Sequence, residues 1–191
     1  LRFALVTPTK SIKFKQQFPL GEVELQEKVY RPICEALENG PLTLGDLQKD
    51  SRTKDIALNS LYQALIIMTG IGYTHPAINE TVRKQRQKST DAFNSAVKAK
   101  SLYSDEMAFL ASPLVGTGIA VNRLEQLLLL AKERKQDGPQ FIWQVLSSQG
   151  KKIIKEGKTL ETEAENLEHL KNVAENFNGD RLSLLTRLGI S

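Results

Sequence analysis

Residues 40–76 read GPLTLGDLQKDSRTKDIALNSLYQALIIMTGIGYTHP, and the order of elements in this stretch decides the fold of the first half of the chain. Gly40-Pro41 stops whatever precedes it. Thr43 then caps a short helix holding Leu44 and Leu47, with Asp46 three positions on in place of the glutamate of a capping box. A longer helix is expected over residues 55–69, burying Ile56, Leu58, Leu61, Tyr62, Leu65, Ile66 and Met68 and ended by Gly70 and Gly72. Ile71, Tyr73 and the chain up to Pro76 return as a short strand or wing.

Upstream, residues 1–6 (LRFALV) read as an apolar strand ended by Pro8. Residues 11–14 read as a second strand, giving an N-terminal ribbon that presents Lys10, Lys13 and Lys15 to solvent. Leu25, Val29, Ile33, Cys34 and Leu37 share one face of a helix, in which Pro32 either introduces a kink or marks a start partway through. Helix, short helix, helix and extended wing is the order of a winged-helix module, and GPLTLGDL resembles that family's helix-turn-helix entry. The resemblance implies that the third helix enters a DNA major groove. That helix offers no Lys or Arg between Ile56 and Thr69, only Asn59, Ser60 and Gln63. Phosphate contacts supply much of DNA affinity, so packing or protein contact is the preferred use and nucleic-acid binding the alternative.

The next segment, residues 80–88 (ETVRKQRQK), gathers Arg83, Lys84, Arg86 and Lys88 on a helix. It is either a solvated surface or a contact for an acidic partner, whether nucleic acid or a companion protein domain. No aromatic residues interleave with these charges, which argues against a single-strand stacking platform.

The second half opens with AFLASPLVGTGIAVNRLEQLLLLAKE at 108–133, a glycine-punctuated apolar segment running into a helix. Gly116 and Gly118 allow close backbone approach, and Asn122 with Glu125 forms a capping box. This is a candidate backbone-binding turn, but it lacks the Lys-Ser/Thr ending of a phosphate loop and the third glycine of a dinucleotide fingerprint. A structural turn is therefore the simpler expectation. Asp137-Gly138-Pro139 starts a helix with Phe141, Ile142, Val145 and Leu146, with Trp143 as a packing anchor, and Gly150 ends it. Residues 151–157 read as a short amphipathic piece. Thr162 with Glu165 caps a helix carrying Leu167, Leu170, Val173, Ala174 and Phe177, and Leu182, Leu184, Leu185 and Leu188 form a final apolar clasp.

The fold class expected is α+β and mainly helical: a winged-helix-like half with short strands, then a helical half. The expected modules are residues 1–104 and 105–191, which can share one core. The 191 residues carry 25% charged and 40% hydrophobic side chains, the composition of an ordinary globular domain. The formal charge is +4, with 15 basic against 10 acidic residues before position 101 and 11 against 12 after it. No apolar run approaches the length of a membrane span, no secretory or lipidation signal is visible, and a cytoplasmic setting is expected. The single cysteine, Cys34, excludes an internal disulfide and is expected in the core. The chain begins directly on a strand at Leu1, which suggests a domain cut from a longer polypeptide.

Chemistry is sparse. His75 and His169 belong to no metal-ligand array. Ser112-Pro113 makes no nucleophile elbow, and Glu161, Glu163, Glu165 and Glu168 are explained by helix-start electrostatics. No catalytic, metal or cofactor residue is therefore assigned.

Three segments, LRFALVTPTKSIKF at 1–14, AFLASPLVGTGIAV at 108–121 and QFIWQVLSSQGKKIIKEGKTL at 140–160, followed by the ending at 188–190, carry a further likeness. They resemble the C-terminal region of bacterial class I S-adenosylmethionine-dependent methyltransferases that carry a predicted methyltransferase regulatory domain. The resemblance implies an upstream Rossmann domain that binds S-adenosylmethionine and performs the chemistry. It further implies that this region is accessory, shaping substrate access, domain packing or partner recognition, with the upstream domain and a protein or other acidic substrate as partners.

Overall fold

A computed structural model of the chain describes residues 1–19 and 21–190, an α+β fold that is mainly helical. The chain divides into two compact units. One is Leu1–Gln85 with Pro113–Gly116, and the other is Arg86–Ser112 with Thr117–Ser191.

In the first unit β1 (Arg2–Leu5) is the middle strand of an antiparallel sheet. It lies between β4 (Leu42–Thr43) and β5 (Thr74–Ala77), with Phe3 opposite both Leu42 and Pro76. Pro76 is tolerated because β5 is an edge strand. The expected ribbon of residues 1–6 with 11–14 does not form. Pro8 leads into a single 3-10 turn at Thr9–Ser11 and Ile12 turns into the core, so the ribbon is made one step later. It consists of β2 (Lys15–Phe18) and β3 (Gly21–Glu24), with Gly21 at a φ of 131° that favours glycine.

Helix α1 (Glu27–Leu37) buries Tyr30, Ile33, Cys34, Ala36 and Leu37, with Pro32 inside the helix rather than at its start. Helix α2 (Leu44–Lys49) carries the expected capping box: Asp46 N–H donates to the Thr43 hydroxyl at 3.0 Å, and Thr43 N–H donates to the Asp46 carboxylate at 2.8 Å. Helix α3 runs over Leu58–Gly70, beginning three residues later than the spacing suggests. The delay has a cause in residues 50–53. The Arg52 guanidinium and backbone both donate to Asp50 and its Nη1 reaches the Glu35 carbonyl at 2.7 Å, while the buried Thr53 hydroxyl donates to the Leu47 carbonyl. The loop fixed by these bonds continues through Ile56, whose N–H donates to the Thr53 carbonyl at 3.0 Å, so residues 55–57 precede the helix.

One apolar cluster fills this unit, joining Leu5, Ile12 and Leu25 to the inner faces of α1 and α3 and to Leu47. Leu61, Ala64, Leu65 and Met68 are the buried residues of α3. Leu58, Tyr62 and Ile66, expected to be buried with them, are exposed. The helix has two apolar stripes at four-residue spacing, and only one of them meets the core of its unit.

Helix α4 (Glu80–Lys100) begins in the first unit and continues into the second. There follow a hairpin of β6 (Phe109–Ala111) and β7 (Gly118–Ala120), then α5 (Arg123–Glu133) and α6 (Gly138–Ser148). Residues 151–157 do not form the amphipathic piece expected. They enter a two-stranded ribbon of β8 (Ile154–Lys155) and β9 (Lys158–Thr159), turned through Glu156 and Gly157 at positive φ. Helix α7 (Glu163–Asn176), a π-helical turn at Phe177–Arg181 and α8 (Leu182–Arg187) complete the unit.

Buried polar side chains fasten this second unit. Asn94 acts as an extra strand residue for Ala111, donating to its carbonyl at 2.8 Å and accepting from its N–H at 2.7 Å. Asn166 accepts from Ile153 N–H at 3.0 Å and donates to the carbonyls of Leu160 and Thr162 at 2.8 and 2.7 Å. Arg123 donates to the Ser101 and Leu102 carbonyls at the end of α4, and buried Lys98 pairs with Glu133.

Candidate interaction surfaces

The exposed stripe of α3 is Leu58, Tyr62 and Ile66, exposed by 45%, 56% and 51%. These residues lie one above another because four residues advance a helix by slightly more than one turn. No Asp, Glu, Lys or Arg occurs between Asp55 and Glu80, so the whole surface of α3 is uncharged in a chain where one residue in four carries charge. A helix apolar on more than one side belongs inside a structure, or against another one.

On the opposite flank of α3 lies a groove of about 450 Å³, bounded by Val23, Leu25, Val29 and Tyr30 on one wall and Ser60, Gln63, Ala64 and Ile67 on the other. Glu24 is the one charged residue in its lining. The β2–β3 ribbon makes one rim of the groove because β3 is turned back by Gly21, and all four β3 residues are exposed. Its size falls in the range of ~300–1,000 Å³ usual for binding clefts. The sequence reading missed this groove. The uncharged run from 56 to 79 and the doubled apolar stripe of α3 were the signals that could have located it.

The basic cluster lies on α4. Lys84, Arg86 and Lys88 are exposed, while half-buried Arg83 pairs with Glu80 at 3.3 Å. At 100° per residue Lys84 and Lys88 form one ridge and Arg83 and Arg86 another, so the four cations do not make a single stripe along the helix.

The glycine segment resolves into ordinary structure. Gly116 adopts a φ of 69° in the loop between β6 and β7, where Leu114 and Val115 are buried and the Leu114 carbonyl accepts from Ile78 N–H at 2.9 Å. Gly118 is the seat of an aromatic ring: a Cβ there would stand 3.4 Å from the Cβ of Phe109, across the hairpin. Asn122 caps α5, accepting from Glu125 N–H at 3.0 Å while its own N–H donates to Glu125 at 2.9 Å. Glu125 in turn accepts from Arg181 at 2.8 Å. Arg181 of the π-helical turn also donates to the Ala120 carbonyl, so it joins the end of β7 to the Glu125 carboxylate of the α5 cap.

Other polar residues have local partners. Cys34 is fully buried, and burial pushes its thiol up to about 12. His75 Nδ1 lies 2.8 Å from the Pro76 carbonyl. Ser112 is buried and donates to the Leu188 carbonyl at 2.6 Å. Glu165 caps α7 through Thr162, whose backbone and hydroxyl bonds lower its pKa, while Glu161 pairs with Lys152. Among the described residues no group of three or more His, Cys, Asp or Glu side chains is placed to hold a metal ion, and no helix is long and apolar enough to cross a membrane.

No family model matches the sequence, and no solved structure matches it. Over all 191 residues the chain is 94% identical to an uncharacterized protein of Synechocystis sp. (strain ATCC 27184 / PCC 6803 / Kazusa), and it spans 38% of that relative's length, at its C-terminal end.

Proposed function

We propose that this chain is a non-catalytic accessory region that holds a segment of a longer protein, from outside these 191 residues, in the groove between the β2–β3 ribbon and α3. The observation that carries this reading is the groove itself: an apolar cleft of about 450 Å³ beside a helix with no charge on any face. The Synechocystis relative is consistent with it, since most of its length lies outside the matched region and supplies chain for the groove to bind.

The resemblance described above makes that longer protein an S-adenosylmethionine-dependent methyltransferase, with cofactor and chemistry in an upstream domain and this region shaping substrate access or recruiting a partner. The order α1, β4, α2, α3, β5 supports a winged-helix-like first unit, with β1 supplying the strand between β4 and β5. Its third helix is suited to protein contact, since DNA affinity rests on cations that α3 lacks.

The experiment compares the longer Synechocystis protein with versions that either lack this region or carry charges in the groove, at the positions matching Val23→Glu and Ile67→Lys. S-adenosylmethionine binding and methyl transfer to a panel of protein substrates are the readouts. The reading expects cofactor binding to persist while transfer or partner capture changes. Identical behaviour of all versions, or absence of cofactor binding from the intact protein, would remove the regulatory assignment.

A further inference from the structure

We propose that the segment held in the groove is an extended strand that adds to the free edge of β3, with a lysine or arginine opposite Glu24 and an apolar residue on either side of it. The inference rests on the reading above, that chain from outside these 191 residues occupies the groove, and it assigns that chain a form and a chemistry.

The backbone of the ribbon supplies the first argument. Leu25 N–H donates to the Phe14 carbonyl at 2.6 Å, which makes these two residues a hydrogen-bonded pair and fixes the alternation along the ribbon. Two residues back Val23 faces Gln16 in the same way, and Gly21 faces Phe18. Glu22 and Glu24 fall between them, opposite Gln17 and Lys15 in non-hydrogen-bonded pairs, so their N–H and C=O groups point away from β2. β2 is the one strand paired with β3, and among the described residues no other backbone group meets the N–H or carbonyl of either glutamate. Both glutamates are exposed, so these donors and acceptors stand open along one edge, spaced as a further strand requires.

That edge faces the groove. Val23 and Glu24 both line it, yet consecutive strand side chains point to opposite faces. A cleft lying over one face would be lined by one of the two, so the strand turns its edge to the groove, and β2 occupies the other edge. A helix or a lipid tail placed there would cover the Glu24 amide without bonding it, at the cost of an unpaired buried polar group. An extended segment bonds it, as in strand addition to other exposed sheet edges.

Charge and alternation give the sequence of the occupant. Glu22 has Lys15 at 3.9 Å, whereas Glu24 has no cation within ion-pair distance among the described residues and is the one charged residue in the groove lining. Opposite charges across a strand pair stabilise and like charges repel, so the edge admits a basic segment and refuses an acidic one. A residue opposite Glu24 lies on the face that Glu24 occupies. Its two neighbours lie on the face shared by Val23 and Leu25, where the groove is apolar.

The test measures hydrogen exchange over residues 21–25, together with thiol labelling of Ile67→Cys, in the 191-residue chain and at the matching residues of the longer Synechocystis protein. The Glu22 and Glu24 amides are expected to exchange fast in the short chain and at least about ten-fold more slowly in the long one, with the Ile67→Cys thiol protected there too. In the long protein Glu24→Pro removes the outward N–H and no bond to β2, and should return thiol labelling to the rate of the short chain. Glu24→Gln keeps that N–H and should weaken protection only about two- to five-fold. Exchange at Val23 shows whether the ribbon survives Glu24→Pro; where it does not, the unsubstituted amides decide. A protected thiol with fast Glu22 and Glu24 amides would overturn strand addition and leave the groove reading standing, whereas equal thiol labelling in the two proteins would overturn both. Protection that persists in Glu24→Pro with the ribbon intact, or that appears in the short chain and grows with its concentration, as a second copy would cause, would also overturn the proposal.

Discussion

The two units solve the same problem with different chemistry. The first unit closes around one cluster of aliphatic and aromatic side chains, and its 50–53 loop is tied by the Asp50–Arg52 contact and by the buried Thr53 hydroxyl. The second unit pins its connections with more polar side chains, buried Asn94, Asn166, Gln126 and Lys98 together with Arg123. Both units expose large apolar side chains, Phe93, Phe109 and Ile154 among those of the second, but in the first they gather along one helix as Leu58, Tyr62 and Ile66 of α3. The second needs polar side chains to satisfy backbone groups that no sheet or helix reaches.

The largest effect should come from the core of the first unit. Leu65→Ala is expected to cost about 2–5 kcal/mol by transfer and cavity terms, read from urea unfolding. Its neighbour sharpens the contrast: Ile66→Ala should change stability by no more than ~0.5 kcal/mol. Equal costs for the two would mean that α3 has no outer face.

Next in size is the polar fastening of the second unit. Asn166→Ala removes three hydrogen bonds from a fully buried side chain and orphans backbone groups around β8 and β9, a loss of about 2–3 kcal/mol. Hydrogen exchange should show Ile153 losing protection before the helices do. A mild effect similar to that of a surface substitution would break the comparison between the units.

Much of this was legible beforehand because it is written in short-range chemistry. The capping boxes at Thr43–Asp46, Asn122–Glu125 and Thr162–Glu165 and the Asp137-Gly138-Pro139 start all appear where the residues place them, since a cap depends on neighbours three positions away. What depended on distant partners was not legible. Residues 1–6 could not announce pairing with strands at 42 and 74, and nothing local says which of two equivalent apolar stripes on α3 faces inward. The interaction residues divided in the same way. The cations of α4 are conspicuous in sequence, whereas the groove exists only because β3, α1 and α3 come together.

Smaller effects refine the comparison at the helix ends and the loops. Thr162→Ala should cost about 1 kcal/mol through loss of the α7 cap, measured by thermal unfolding. Smallest is an acid effect in the first unit. Bonds from the Arg52 side chain and backbone hold Asp50 at about 2, below its unfolded value near ~4. A depressed folded pKa stabilises above the unfolded value, and that stability disappears as pH falls through about 2. Asp50→Asn should therefore flatten the pH dependence of unfolding below ~4 and leave neutral pH with little change in slope.

The central claim is that the groove beside α3 is a docking surface for chain outside these 191 residues. It is tested most directly by measuring thiol labelling of Ile67→Cys, both in this chain alone and at the matching position of the longer Synechocystis protein, with the site read by peptide mass. Fast labelling in the short chain and strong protection in the long one is the result predicted. Equal labelling rates in the two would contradict it.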